Sequence, residues 1–134
     1  MPIISDAELV QGPLTRSIIG SAIEVHQALG PGLLEGAYRA CLRTELLARN
    51  LAVRQEVQVP VNYKGVAIDC GFRADLIVEE SVVIELKAVE RLLPIHDAQL
   101  LTYLKLTGLE VGLILNFNSA SMRNGVRRLI LQRE

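Results

Sequence analysis

The stretch Val82-Val83-Ile84-Glu85-Leu86-Lys87-Ala88-Val89 decides how the rest of the chain is read. It is a strongly apolar run broken by two opposite charges, at i and i+2. Side chains alternate across a sheet, so the run predicts a strand with Glu85 and Lys87 on one face. Ile84, Leu86 and Ala88 then lie on the other. Just upstream, Phe72-Arg73-Ala74-Asp75-Leu76-Ile77-Val78 reads as the preceding strand, with Glu80-Ser81 as a tight turn between the two. Such a hairpin brings Asp75 alongside Glu85 and Lys87. Two carboxylates and an ammonium converge on one sheet face.

Carboxylates held close repel each other unless a cation or a shared proton relieves them. A divalent cation is the natural candidate. Magnesium takes hard oxygen ligands and commonly uses one or two carboxylates together with waters and substrate phosphate oxygens; manganese is its usual substitute. The backbone carbonyl of Leu86, between the charged pair, is a further oxygen donor. Lys87 beside the metal would orient a water or stabilise charge developing on a phosphate. The alternative is a buried Asp/Glu/Lys ion-pair network without chemistry, in which losing one partner costs roughly 3–5 kcal/mol. From spacing alone the two readings stand level.

Outward from this segment the chain reads as one mixed α/β unit. Leu14 to Leu29 predicts a helix, with Ile18, Ile19, Ala22, Ile23, His26 and Leu29 on one side and Gly30-Pro31-Gly32 ending it. A second helix runs from Leu33 to Arg49, with Leu34, Ala37, Tyr38, Cys41, Leu42 and Leu46 as its apolar stripe. Val53, Val57, Val59 and Val61 then recur on odd positions, a half-buried strand in which Pro60 marks an edge or bulge. Lys64-Gly65 turns into a single strand, Val66 to Val78, followed by the strand Val82 to Ala88. Beyond Pro94 comes a helix, Ile95 to Leu106. Glu110 to Phe117 is a very apolar strand of the kind that sits inside a sheet, and Val126 to Leu131 a last short one. The order is α-α-β-β-β-α-β-β, a mixed β-sheet flanked by helices.

Composition bounds what such a unit does. With 134 residues the chain fits a single domain, 1–134, since a domain takes roughly 100–200 residues. Half of it is hydrophobic and 22% is charged, which excludes a disordered polypeptide. A formal charge of -1 argues against holding nucleic acid by bulk positive charge, though it leaves room for a local basic groove. Cys41 and Cys70 lack disulfide or metal spacing and read as small core residues in a reducing cytosol. MPIISDAELV has no basic region before a long apolar run, so no signal peptide is expected, and no stretch is long and apolar enough to span a membrane. A cytoplasmic protein is expected, its apolar excess going into the core or a homodimer interface.

Three further features stand out. Glu35 falls in the first turn of the second helix, where the helix dipole alone gives a carboxylate about 0.3–1 kcal/mol. Gln99 and Tyr103 are i and i+4 on the third helix and share a face, which also suits a plain polar edge. His26 lies on an apolar helical face, where a satisfied core histidine is the commoner case.

Together these residues resemble a known family. Gly32-Leu33-Leu34-Glu35-Gly36-Ala37-Tyr38 reads as the Gly-x-x-Glu-x-x-Tyr signature of the GxxExxY proteins, a branch of the PD-(D/E)XK nuclease-like superfamily. Asp75 and Glu85-Leu86-Lys87 stand where that superfamily has its Asp and Glu-x-Lys, and Gln99-Leu100-Leu101-Thr102-Tyr103 is similar to the Gln-x-x-x-Tyr helix motif of RecB-like nucleases. The segments Gly30-Pro31-Gly32, Asp69 to Asp75 and Asn116-Phe117-Asn118 also resemble the family. One departure is Ala74, where the superfamily name has Pro. The resemblance runs from about Leu14 to Leu131.

It implies a restriction-endonuclease-like αβββαβ core with an extra N-terminal helix. It further implies Asp75 and Glu85 as metal ligands with the Leu86 carbonyl, Glu35 as a further acidic member and Lys87 as the catalytic lysine. Gln99, Tyr103 and Tyr38 would support the site or the substrate, with His26 a neighbour that has no motif counterpart. The activity implied is magnesium-dependent hydrolysis of nucleic-acid phosphodiesters, with DNA preferred over RNA as partner. The rival is a non-catalytic nuclease-fold module for nucleic-acid binding or assembly, to which Arg123, Arg127 and Arg128 would give a phosphate-contacting edge.

Overall fold

A five-stranded sheet carries the chain, built in the order β1-β4-β5-β6-β7. The computed structural model describes residues 11–132, so the MPIISDAELV stretch lies outside the described residues. Helices α1 (Gly12–Leu29) and α2 (Glu35–Ala48) come first, then β1 (Val53–Gln58) and a hairpin of β2 (Val61–Tyr63) and β3 (Val66–Ile68). Strands β4 (Arg73–Val78) and β5 (Val82–Lys87) follow, then α3 (Pro94–Thr107), β6 (Val111–Asn116), a short 3-10 turn (Met122–Gly125) and β7 (Val126–Ile130). Strands β5 and β6 are parallel, joined by α3 as a crossover, and every other pairing is antiparallel. The expected αβββαβ core is present as α2, β1, β4, β5, α3 and β6, with α1 as the extra N-terminal helix.

Two apolar layers fix the two faces of the sheet. On one, Ile18, Ala22 and Val25 of α1 and Tyr38, Leu42 and Leu46 of α2 pack on Leu76, Val78, Val82, Ile84, Leu86 and Leu113. On the other, Leu100 and Leu104 of α3 cover Ala74, Ile77, Val83 and Ile114. Strand β6 is buried along its whole length, as a strand covered on both faces should be. The β4–β5 hairpin turns through Glu79 and Glu80 at φ 53 and 50, with the Ser81 amide donating to the Val78 carbonyl at 3.0 Å. Positive φ at both central residues matches the right-handed twist of the paired strands. Arg54 clamps Glu80 with two bonds of 2.6 and 2.8 Å, and Glu79 accepts the Ala52 amide.

The structure corrects several expectations. The single strand over 66–78 is two strands, because Asp69 accepts the Gly71 amide at 2.9 Å and Gly71 turns at φ +80. That local turn competes with the ladder and ends it. The odd-numbered valines do not share one face: Val53 packs with the α1/α2 layer, Val57 and Val59 with the α3 layer. Glu56, at φ 48, rotates the chain between them. The strand stops at Gln58, ahead of Pro60, which has no amide to donate. Helix α2 starts at Glu35, and its buried stripe narrows to Tyr38, Leu42 and Leu46; Leu34 is 84% exposed. Cys41 and Cys70 are free and exposed, not core residues. Among the described residues no helix is long and apolar enough to cross a membrane.

Helix α3 rests on β6 at Gly112, where an added Cβ would meet the Leu100 side chain at 2.8 Å. Overpacking of this kind costs about 1–3 kcal/mol. Gly112→Ala is therefore expected to lower the thermal midpoint and, by lifting the helix that carries Gln99 and Tyr103, to disturb the face beside Glu85. Thermal unfolding followed by circular dichroism checks the first effect.

Candidate active site

The Leu76↔Ile84 pair is the last in the β4–β5 ladder before the carboxylates. Beyond it the two strands are tied through side chains. The Asp75 amide donates to Glu85 Oε1 at 3.1 Å, and the Leu86 amide donates to Asp75 Oδ2 at 2.8 Å. A strand residue sends its N–H and C=O to the same edge, so the Leu86 carbonyl also faces this seam. The neighbouring Lys87 carbonyl faces the other way and accepts the Phe117 amide of the β6 end at 2.8 Å.

Alternation then sets the remaining groups. Ile84 and Leu86 belong to the α1/α2 layer and Val83 to the α3 layer, so Glu85 and Lys87 share one face, as the sequence predicts, and that face is the one toward α3. Asp75 differs from expectation. Ala74 packs on the α3 side and Leu76 on the α1/α2 side, so β4 changes face at Asp75 as β1 does at Glu56. The Asp75 carboxylate consequently lies in the seam, where Arg39 from α2 reaches its Oδ1 at 3.3 Å while also holding Glu56 Oε1 at 3.1 Å. Arg39 escaped the sequence reading. Its one signal is its place one turn beyond Glu35 on the motif helix.

Electrostatics follow from this packing. Glu85 is 8% exposed, and its carboxyl is pushed up to about 8, first by burial and then by the negative charge of Asp75. The hydroxyl of Tyr103 is also held above its usual range, by burial and by the charges of Glu85 and Asp75. Glu85, Lys87, Gln99 and Tyr103 line one open cleft of about 440 Å³ with Phe72, Ile95, Ala98 and Thr102. Asn116, opposite Lys87 on β6, braces the β5 exit by donating to the Val89 carbonyl at 2.9 Å and accepting its amide at 3.1 Å.

The other expected site residues lie on α1 and α2. Tyr38 is buried, stacked on Phe117 with ring centroids 4.6 Å apart. Its hydroxyl donates to the Gly30 carbonyl at 2.5 Å and accepts the Leu33 amide at 3.1 Å, pinning the α1–α2 connection. His26 Nε2 bonds the Ser119 carbonyl at 2.8 Å, fastening α1 to the loop after β6. Glu35 is exposed at the start of α2. The arginines near the C-terminus do not form one edge: Arg127 pairs with Asp97 of α3, whereas Arg123 and Arg128 line a groove along α1.

A divalent cation fits this donor set. The oxygens are hard, Glu85 carries a burial penalty that a cation relieves, and the Leu86 carbonyl shares the seam. Among the described residues no three His, Cys, Asp or Glu side chains gather as a metal cage. Two carboxylates are what magnesium commonly takes, whereas an all-protein calcium site needs about 6–8 oxygens.

A family model described as the PD-(D/E)XK nuclease superfamily matches residues 12–129. The chain belongs to the PD-(D/E)XK nuclease superfamily. Members of that superfamily generally use divalent metal ions. Comparison with curated proteins and with solved structures gave no match.

The raised carboxyl of Glu85 makes metal-free stability depend on pH. Below the unfolded value of 4.5 Glu85 is protonated in both states; between there and about 8 only the unfolded chain has lost the proton, so stability falls as pH rises. Glu85→Gln cannot ionise and keeps its acceptor for the Asp75 amide. In chelator, its thermal midpoint is expected to gain on wild type progressively from pH 4.5 to about 8 and to level off above. A constant difference across that range would refute the assignment.

Proposed function

We propose that the protein is a magnesium-dependent nuclease that hydrolyses nucleic-acid phosphodiesters, with manganese as a substitute ion. The observation carrying this reading is the reciprocal tie between Asp75 and Glu85-Leu86, which holds two carboxylates together against their repulsion. Asp75, Glu85 and the Leu86 carbonyl would hold the ion. When bound, it supplies Lewis-acid polarisation of the phosphate and lowers the pKa of a coordinated water.

The chain's own residues do the rest. Lys87 shares the face of Glu85 and presents its ammonium to the cleft, where it positions a water or balances charge on the phosphate. Gln99 and Tyr103, from α3, offer donors to the substrate on the opposite wall. Burial and the neighbouring carboxylates keep the Tyr103 hydroxyl protonated, so it donates and does not act as a base. Arg39 fixes the Asp75 carboxylate from behind. Glu35 would orient a water or a second metal. Membership of the GxxExxY branch, a cytoplasmic setting and a homodimeric state belong to the same proposal.

The test is cleavage of labelled DNA and RNA, single- and double-stranded, with magnesium, with manganese and in chelator. Wild type is expected to cut only with metal. Glu85→Gln and Lys87→Ala should each lose about 100-fold or more in rate. Variants that retain wild-type cleavage would refute the site. Salt-sensitive binding without turnover would favour the non-catalytic module.

A further inference from the structure

The cleft beside Glu85 and Lys87 has an unusual lining for a surface that handles phosphates. Among the described residues its wall carries no cation apart from Lys87, and it presents Phe72, Ile95, Ala98 and Tyr103 instead. Phe72 and Tyr103 stand with ring centroids 6.2 Å apart and planes inclined at 57°, the tilted arrangement aromatic pairs prefer. They form an aromatic corner. Phe72 is nevertheless 40% exposed and Ile95 56% exposed, so apolar surface is left open at the mouth of a cleft of about 440 Å³. That volume is in the range of roughly 300–1,000 Å³ that takes a small ligand.

Phe72 stands between the Asp69 turn and β4, where the β1–β4 ladder ends. In that turn Asp69 accepts the Gly71 amide and pairs with Arg73 Nη1 at 3.3 Å, and Gly71 turns at φ +80. The Phe72 carbonyl then accepts the Val59 amide at 3.0 Å, which locks the backbone beneath the ring. The ring sits three residues before Asp75 and shares the cleft with Glu85.

We propose that Phe72 and Tyr103 form a stacking wall for an unpaired base next to the phosphodiester bound at Asp75 and Glu85, so that the substrate is single-stranded nucleic acid. In a duplex the base faces are covered by their neighbours, and affinity comes from many phosphate contacts. This cleft offers one ammonium and an aromatic corner, which is the equipment for a base with a free π-face. The net charge of -1 agrees with a protein that does not rely on the phosphate backbone. The inference rests on the nuclease reading, because it places the base relative to that metal site.

The experiment is fluorescence anisotropy with labelled single strands of DNA and of RNA and with the matching duplexes, calcium replacing magnesium so that binding is read without turnover. Wild type should bind single strands more tightly than duplex. Phe72→Ala should weaken single-strand binding by roughly 5- to 150-fold and leave duplex binding unchanged. Phe72→Trp should restore it and Phe72→Leu should not, because stacking needs the ring. The DNA and RNA arms show which strand is preferred. Equal binding of single strands and duplex, no binding of either, an unaffected Phe72→Ala, or full rescue by Leu would each overturn the proposal. Manganese titration of wild type and Phe72→Ala separates the two readings: intact metal binding with unchanged oligonucleotide affinity sinks the stacking wall alone, and absence of metal binding in wild type sinks the site beneath it. Circular dichroism confirms that Phe72→Ala is folded.

Discussion

Two carboxyl groups are held together at the seam between β4 and β5, and the groups that hold them are backbone amides. The Asp75 amide fixes Glu85, and the Leu86 amide fixes Asp75. Each bond spans the gap that the sheet ladder would have closed had it continued past Leu76 and Ile84. The arrangement is costly. Burial and the neighbouring charge lift the Glu85 carboxyl to about 8, so without a cation a proton on one of the pair is favoured. A divalent cation relieves the same repulsion. The fold around the seam serves to keep its geometry: α3 packs on one face, α1 and α2 on the other, and Asn116 braces the end of β5.

The seam also depends on two residues that change face together. Glu56 turns the edge strand at φ 48, and Asp75 marks the switch on β4. Arg39 bridges them from α2. Without that switch Asp75 would follow Ile77 onto the α3 face and compete with Glu85 and Lys87 for one space. With it, Asp75 lies between the strands, Glu85 and Lys87 open to the cleft, and the aromatic corner lies beyond them. A left-handed non-glycine backbone beside a site costs about 1–3 kcal/mol and persists only where the surroundings impose it. The Arg39 bridge and the β1–β4 ladder are those surroundings.

Much of this was legible in the sequence, and the reasons are local. Alternation in Val82 to Val89 placed Glu85 and Lys87 on one face, and i, i+4 spacing placed Gln99 and Tyr103 on another; both are short-range periodicities that burial enforces. The mixed sheet followed from the order of such segments. What escaped were effects that local pattern does not encode. The strand over 66–78 broke because an Asp side chain captured an amide two residues on, a competition that hydrophobic pattern does not register. The face change at Glu56 and Asp75 is set by contacts across strands. Tyr38 shows the same gap: its motif position was visible, but the hydroxyl's partners, Gly30 and Leu33, depend on how α1 meets α2. Cys41 failed for a simpler reason, since the stripe of α2 is narrower than its apolar residues suggest.

The central claim is that Asp75 and Glu85 are held together to receive a divalent cation. Calorimetric titration of manganese into wild type, Asp75→Asn and Glu85→Gln at neutral pH tests it most directly. The account predicts one saturable site in wild type that either substitution abolishes, while the variants keep a folded circular dichroism spectrum. Binding that survives in both variants, or none in wild type, would contradict it.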